Sequence, residues 1–383
     1  MRVLLVAGEY PPQQGGLGDF TRCLAGALVN EGCRVTVLAP REATPVDPAW
    51  TFEVRAEAGG WGPADVLRVR RLAQGYDVVN LQYQAAAYGM RVPIHLLPWA
   101  CGRVPLVTTF HDLRVPYLFP KAGPVRRWAV RALMRGSAAA IVTNEEDVAS
   151  ARADSPQARL HLVRIGSNVD PVPVGPEERR SMRARYEFPD EAVVVGYFAF
   201  LNASKGGMEL VRAVAEGRRQ GVDLRLLFIG GDVGASDPTN AAYAARVFAE
   251  AEALGLGTCL YRTGYLDQAG VSAAFAAADI CALPFLDGAS YRRGSLMAAL
   301  AHGMPVVTTT PAVPVAGLSE GESVRLVAPG DVAALAKALV DLAGQPEERR
   351  RLGEAAQRLS RQFEWPHIAR DTLRVYRQVA QSR

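Results

Sequence analysis

The chain has 383 residues, 49% of them hydrophobic and 21% charged. That is enough apolar material for about two packed domains and is incompatible with a disordered chain. A formal charge of +4 is too small to mark a nucleic-acid partner, and no apolar run approaches the ~20 residues of a membrane span.

Met1 leads straight into Arg2-Val3-Leu4-Leu5-Val6-Ala7, which reads as a buried strand and not as a leader peptide. Strands are expected at Val3–Ala7, Arg34–Leu38, Val78–Leu81, Leu106–Phe110 and Ala139–Val142, with helical stretches between them such as Gly18–Asn30 and Val125–Gly136. A second series runs through Val193–Phe198, Leu224–Ile229, Cys259–Arg262, Ile280–Leu283 and Pro305–Thr308, and the chain closes on a helical pattern at Trp365–Ala380. Alternation of this kind predicts α/β architecture with doubly wound parallel sheets. The stretch GSNVDPVPVGPE at 166–177, rich in proline and glycine, separates the two series. The expected division is therefore a first domain at 1–170, a linker at 171–184, a second domain at 185–365 and a terminal helix at 366–383 packing back on the first. Two such domains facing one another would bring their strand ends to a central cleft. The five cysteines are scattered without a CxxC pair, which argues against disulfides or structural zinc and for a reducing, cytoplasmic setting.

After the first strand comes Gly8-Glu9-Tyr10-Pro11-Pro12-Gln13-Gln14-Gly15-Gly16-Leu17-Gly18-Asp19-Phe20, then a helix. Glycines let backbone approach a ligand, and a helix N-terminus favours an anion. Thr21 stands where a dinucleotide fingerprint needs its third glycine, and the second strand ends Ala39-Pro40-Arg41 with no acidic ribose ligand. The loop reads either as a site for another polar ligand or as a tight strand-to-helix connection.

The loop with its Pro-Pro and Gly-Gly resembles the opening of the family 4 glycosyltransferases, which have the two-Rossmann GT-B fold. The likeness continues in order along almost the whole chain. Asp77-Val78-Val79-Asn80-Leu81-Gln82-Tyr83 and Thr109-Phe110-His111-Asp112 resemble strands of the acceptor domain. Ala199-Phe200-Leu201-Asn202-Ala203-Ser204-Lys205-Gly206 resembles the phosphate-binding lysine segment. Phe228-Ile229-Gly230-Gly231 and Thr263-Gly264-Tyr265 resemble nucleotide-side loops, and Pro284 to Val307 resembles the signature helix and strand. Two departures stand out. The positions of the family's paired glutamates are Ser290 and Ala298, and Phe200 occupies the place of an arginine before the lysine.

The resemblance implies a glycosyltransferase that takes a sugar from a nucleotide diphosphate sugar, retains anomeric configuration and uses no metal or other cofactor. The acceptor would be a carbohydrate, a lipid-linked or a small molecule, with no nucleic acid involved. It places His111 and Lys205 in catalytic roles. Donor contacts fall on Gly15, Gly16, Asn202, Lys205, Gly230 and Tyr265, and weaker acceptor or sugar contacts on Asp19, Tyr83, Asp112 and Glu145. The departing loop adds Asp287, Ser290, Arg292, Arg293, Gly294 and Ser295 as donor contacts on its own chemistry, two cations and small residues beside a predicted helix N-terminus. Of 43 basic residues only Lys121, Lys205 and Lys337 are lysines, which makes a lysine at a loop tip after a strand informative. Arg292 and Arg293 would replace the missing arginine and Asp287 the missing sugar carboxylate, unless the pair belongs to a solvated surface turn. Glu145 would reach the cleft or, with its neighbours, cap the next helix. Arg126, Arg127, Arg131 and Arg135 surround Trp128 on one predicted helix, either an ordinary solvated face or a peripheral contact with the inner face of a membrane. The alternatives are a catalytically silent nucleotide-sugar-binding or scaffold protein of the same fold, and a nucleotide-sugar 2-epimerase.

Overall fold

The structure, a computed structural model, describes residues 1–13, 15–44, 51–113, 123–231 and 239–382, with backbone alone at 123–126 and 239. Lys121 and the Arg126 side chain lie outside what is described. The chain divides into two compact units, the first formed by Met1–Asn168 and Phe363–Arg383, the second by Val169–Gln362.

Unit 1 is built on a seven-stranded parallel sheet of order β3-β2-β1-β4-β5-β6-β7. Its strands are β1 (Arg2–Ala7), β2 (Arg34–Pro40), β3 (Glu53–Ala58), β4 (Val78–Tyr83), β5 (Leu106–Phe110), β6 (Ala139–Val142) and β7 (Leu160–Leu162). Helices α1 (Gly16–Asn30), α2 (Pro63–Ala73), α3 (Leu97–Ala100), α4 (Gly123–Gly136) and α5 (Glu145–Asp154) connect them, and α13 (Trp365–Gln381) returns to pack on α1. Unit 2 carries a six-stranded parallel sheet of order β10-β9-β8-β11-β12-β13. These are β8 (Val193–Tyr197), β9 (Leu224–Phe228), β10 (Leu260–Arg262), β11 (Ile280–Leu283), β12 (Val306–Thr309) and β13 (Arg325–Val327). Around them lie α6 (Pro176–Arg185), α7 (Gly207–Arg219), α8 (Thr239–Ala253), α9 (Gln268–Ala277), α10 (Gly294–Ala301), α11 (Val332–Ala343) and α12 (Pro346–Ser360).

The central strands are apolar on both faces because helices cover both, and β1, β5, β6, β11 and β12 are buried almost throughout. The strands missing from the sequence reading are β3, β7 and β13, edge or near-edge strands with polar residues such as EVRAEA and LHL, which carry no continuous apolar run. The expected linker also differs. Pro176 opens helix α6, where a missing N–H costs nothing, and Arg183 anchors the helix by donating to Asp279 and to the Pro189 and Ala192 carbonyls. The crossing of the chain at the edge of unit 1 is tight. A Cβ on Gly166 would meet the Phe363 carbonyl oxygen at 2.8 Å, and Trp365 Nε1 donates to the Ser167 carbonyl. All five cysteines are buried and free. None of the described helices is long and apolar enough to cross a membrane.

Candidate functional site

In a parallel sheet every strand ends on the same edge, so the loops after β8, β9, β10 and β11 gather on one rim of unit 2. The chain leaves β8 for β9 and later returns to β8's other side as β11. That change of direction is the switch point where open α/β sheets bind ligands. The β8 loop carries Lys205 to this point. Asn202 turns back to accept from the Ser204 N–H at 3.1 Å and hydroxyl at 2.8 Å, closing a short 3₁₀ turn that ends on Gly206. Gly206 adopts φ 69°, and a Cβ there would lie 1.9 Å from the Pro284 carbonyl oxygen of the β11 loop. Leu286 N–H donates to the Ser204 carbonyl at 2.9 Å, so the two loops are clasped backbone to backbone.

The clasp sets Lys205 beside the charges of the β11 loop. Burial lowers its amine pKa to about 8, with Arg293 pushing the same way and Asp287 opposing. Its Nζ stands 5.7 Å from the centre of the Phe200 ring. The residue at the missing arginine's place is thus a π-face for the lysine. Arg292 and Arg293 are not a solvated turn, since their side chains are 6% and 14% exposed. Arg292 donates to Asp287 at 2.8 Å, Arg293 also bonds Asp287, and the Arg293 guanidinium lies 4.9 Å from the centre of the Phe285 ring. Asp287 therefore bridges two cations beside Lys205. Arg293 is the N-cap position of α10, which has no side-chain cap, and Gly294 beside it has open space where a Cβ would stand. Gly294 and Ser295 thus begin a helix that its N-cap side chain does not cap, and such a terminus favours an anion. Ser290 is buried, and its Oγ accepts weakly from Arg292 N–H at 3.5 Å. Ala298, at the second glutamate position, is buried in the helix packing. On the neighbouring strand ends Gly230 pairs with Gly264 and donates to Thr263 Oγ1 at 2.9 Å, while Tyr265 is 72% exposed.

The unit 1 residues singled out by the sequence behave differently. Gly15 and Gly16 open α1, but the anion at that helix terminus is the protein's own. Glu9 Oε1 accepts from Leu17 N–H at 3.0 Å and Gly18 N–H at 3.3 Å, and a Cβ on Gly15 would overlap its carboxylate. Burial raises the pKa of Glu9 and of Asp19 nearby. Gly15 thus makes room for an internal cap on the Leu17 and Gly18 N–H groups, while Gly16 has open space where a Cβ would stand.

His111 follows β5. Side chains alternate across a strand, so Asn80 and Gln82 of β4 share one sheet face with Thr109 and His111 of the neighbouring strand. Asn80 gives its amide hydrogens to Val107 O at 3.1 Å and Thr109 Oγ1 at 3.0 Å. Its Oδ1 accepts from the Tyr376 hydroxyl of α13 at 2.8 Å and from Gln82 Nε2. Gln82 is thereby turned with Oε1 toward His111, 2.8 Å from Nε2. The proton of the ring belongs on Nε2, and Nδ1 is its acceptor. Burial lowers the His111 pKa to about 4, so the ring is neutral. Phe20 meets it edge-on at 4.7 Å.

Tyr83 and Phe110 point to the opposite sheet face. Tyr83 and Asp112 line a cavity of about 410 Å³, where Tyr83 donates to His95 Nε2 at 2.9 Å because Nδ1 of that ring donates to Val92 O. Glu145 neither caps α5 nor stands open. Asn144 caps the helix through the Asp147 N–H, and Glu145 pairs with Arg164. On α4, Arg131 pairs with Asp154 and Arg135 donates to the Asp154 carbonyl, while Trp128 is 69% exposed. The expected basic face is thus partly tied to α5. Among the described residues no group of three His, Cys, Asp or Glu is placed to hold a metal ion. Sequence reading missed the hydrogen-bonding roles of Glu9, Asn80, Gln82 and Tyr376 within unit 1. The available signal was two polar residues, one apart, inside the otherwise apolar run Val78-Val79-Asn80-Leu81-Gln82.

Unit 2 thus presents a lysine, two largely buried arginines and a helix N-terminus at the switch point of a doubly wound sheet, an arrangement suited to a diphosphate. The comparisons name the family. Residues 15–166 match the glycosyl transferase 4-like domain, and residues 192–345 match the glycosyl transferases group 1. A D-inositol 3-phosphate glycosyltransferase of Corynebacterium efficiens is 31% identical, covering 98% of this chain and 95% of its own. A GDP-mannose-dependent alpha-(1-6)-phosphatidylinositol monomannoside mannosyltransferase of Mycolicibacterium smegmatis is 28% identical, with 92% of each chain covered. Among solved structures, sucrose-phosphate synthase of Thermosynechococcus elongatus superposes with TM-score 0.76 at 22% identity over the whole of both chains. Anabaena HepE in complex with UDP and glucose does so with TM-score 0.77 at 18% identity, covering 99% of this chain and 100% of that one. The chain belongs to the family 4 glycosyltransferases and is a transferase enzyme of EC 2.4 type.

Proposed function

We propose that the enzyme transfers a hexosyl group, with mannose the first candidate, from a nucleotide diphosphate sugar to a hydroxyl of an inositol phosphate or of a lipid bearing one. The observation that carries this reading is the charge cluster at the switch point of unit 2, where Lys205 meets Arg293, Asp287 and the uncapped start of α10. The bond between the anomeric carbon and the phosphate oxygen breaks, and charge develops on the leaving diphosphate. A compact ammonium and helix N–H groups favour that state more than the ground state. The proton of the attacking hydroxyl passes to the departing phosphate oxygen. Neutral His111 offers Nδ1 as an acceptor for a sugar or acceptor hydroxyl. The named relatives support a phosphorylated inositol acceptor, and the alpha product named for one of them supports retention. Exposed Trp128 and Arg127 on α4 support peripheral contact with an anionic membrane, where a lipid acceptor would reside.

The test is a panel of nucleotide diphosphate sugars, GDP-mannose included, scored for nucleoside diphosphate release with and without inositol phosphate or phosphatidylinositol. Acceptor-stimulated release from one donor with an α-linked product is expected, and it should persist in excess chelator because side chains carry the compensating charge. Tight nucleotide-sugar binding without release would favour the silent reading, for which Ser290 and Ala298 at the glutamate positions speak. A strict need for a divalent cation would overturn the charge assignment.

A further inference from the structure

The 410 Å³ cavity of unit 1 lies on the sheet face opposite His111, and its size is that of a ligand site. Its apolar wall includes Met90, Ile94, Val130, Met134 and Ala151, with Asp112, Ser150 and Ser155 the polar side chains beside them. The two methionines let it repack round a flexible occupant. Two pairs of polar groups that reach it are mated, Tyr83 with His95 and Arg131 with Asp154, while Ser155 Oγ and Arg131 Nε are buried without a hydrogen-bond partner. An interior in which apolar side chains predominate favours hydrocarbon, with Ser155 Oγ and Arg131 Nε the polar points left in its wall.

The opening differs from the interior. Trp128 and Val92 line the cavity yet are 69% and 70% exposed, so they stand at its mouth. Arg91 and Arg127 line it too and are exposed. The 3₁₀ turn at Val92–Leu96 and helix α3, both packed on α4, add Leu96 and Trp99, the latter 76% exposed. Large apolar side chains held out among arginines suit the boundary between water and an anionic bilayer, where indole rings and guanidinium groups both find partners.

We propose that this cavity takes one hydrocarbon chain of a phosphate-bearing amphiphile drawn from a bilayer, the arginines at its mouth meeting the headgroup. The proposal rests on the lipid-acceptor form of the function above and assigns where the lipid's chain goes. The test uses the full-length protein, the fluorescent fatty acid cis-parinaric acid as the chain probe, and vesicles of phosphatidylcholine with a minority of phosphatidylglycerol. The parent should bind the probe saturably at one site. Val130→Phe and Ala151→Leu, which fill the cavity from two walls, should each weaken that binding about tenfold, the equivalent of two lost methylene burials. Both should still float with vesicles and release nucleoside diphosphate from donor as the parent does. Two variants guard against one that misfolds, and circular dichroism identifies it. Absent or unsaturable probe binding would overturn the proposal, as would parent-like binding in both folded variants. So would a concentration-dependent dimer that buries Trp99 and Trp128 and excludes the probe. Saturable probe uptake by a protein that releases no nucleoside diphosphate from any donor would sustain the cavity assignment and sink the transferase reading it rests on.

Discussion

Lys205 is held in an environment that works against its charge, and a bound diphosphate would reverse that. With a pKa near 8 in the free protein, the amine is mostly neutral at pH 9, and an anion beside it restores the proton. Nucleoside diphosphate binding at pH 9 should therefore take up close to one proton, measurable by calorimetry in buffers of different ionisation heat. In Lys205→Arg, whose charge does not titrate there, the uptake should vanish. Lys205→Ala should lower turnover by about 2–4 kcal/mol of transition-state stabilisation while leaving the thermal midpoint of unit 2 nearly unchanged. His111 makes the opposite kind of test, on stability. Its folded pKa of about 4 lies below the unfolded value of 6.5, so the unfolded chain binds more protons in between. Stability from this group is complete above pH 6.5 and is lost as pH falls toward 4, by up to about 3 kcal/mol. Denaturant midpoints from pH 7 to 4.5 should fall less steeply in His111→Gln than in the parent. Equal slopes would show that burial of this ring does not set the acid limb.

At the scale of elements, much of the site depends on loops pressed against loops, and Gly206 is the sharpest case. It needs both its left-handed φ of 69° and the absence of a Cβ that would stand 1.9 Å from the Pro284 oxygen. Gly206→Ala should destabilise unit 2 by about 2 kcal/mol or more and weaken nucleotide binding, because relief of the clash separates the β8 and β11 loops. Unchanged nucleotide affinity in a folded Gly206→Ala protein would refute the clasp. The sequence disclosed the strands that feed these loops because apolar runs such as Ile280–Leu283 can be little else, and motif order then located Lys205 and the α10 start. It could not disclose that Glu9 fills the α1 terminus, since a carboxylate six residues before Gly15 looks the same whether it faces solvent or turns back. Nor could it show that Asp287 joins Arg292 and Arg293, because three charged residues in one loop are equally compatible with a solvated turn. Tyr376 was invisible for a different reason: it meets Asn80 across 296 positions, and only the packing of α13 on unit 1 brings them together.

On the whole-molecule scale, unit 2 is continuous in sequence and unit 1 is not. A chain ending at Gln362 should damage the unit farther away in sequence. Loss of α13 strips the cover from Phe20 and removes the Tyr376 donor from Asn80. Hydrogen exchange on that truncated protein should show lost protection in β4, β5 and α1, with β8, β9 and β11 protected as in the parent. Protection lost equally in both units would mean that they fold as one. The same closure has a consequence for how the chain is made. A ribosome finishes the first 168 residues well before it reaches Phe363, where the segment that completes their unit begins. At about 5–20 residues per second, some 10–40 s separate the synthesis of Asn168 from that of Phe363. Throughout that interval the nascent first unit exposes the uncovered flank of α1, while the second folds behind it. The vulnerable species during synthesis is thus the half made first, and chaperone capture on stalled ribosomes should concentrate on chains that have passed Asn168 and not yet released Tyr376.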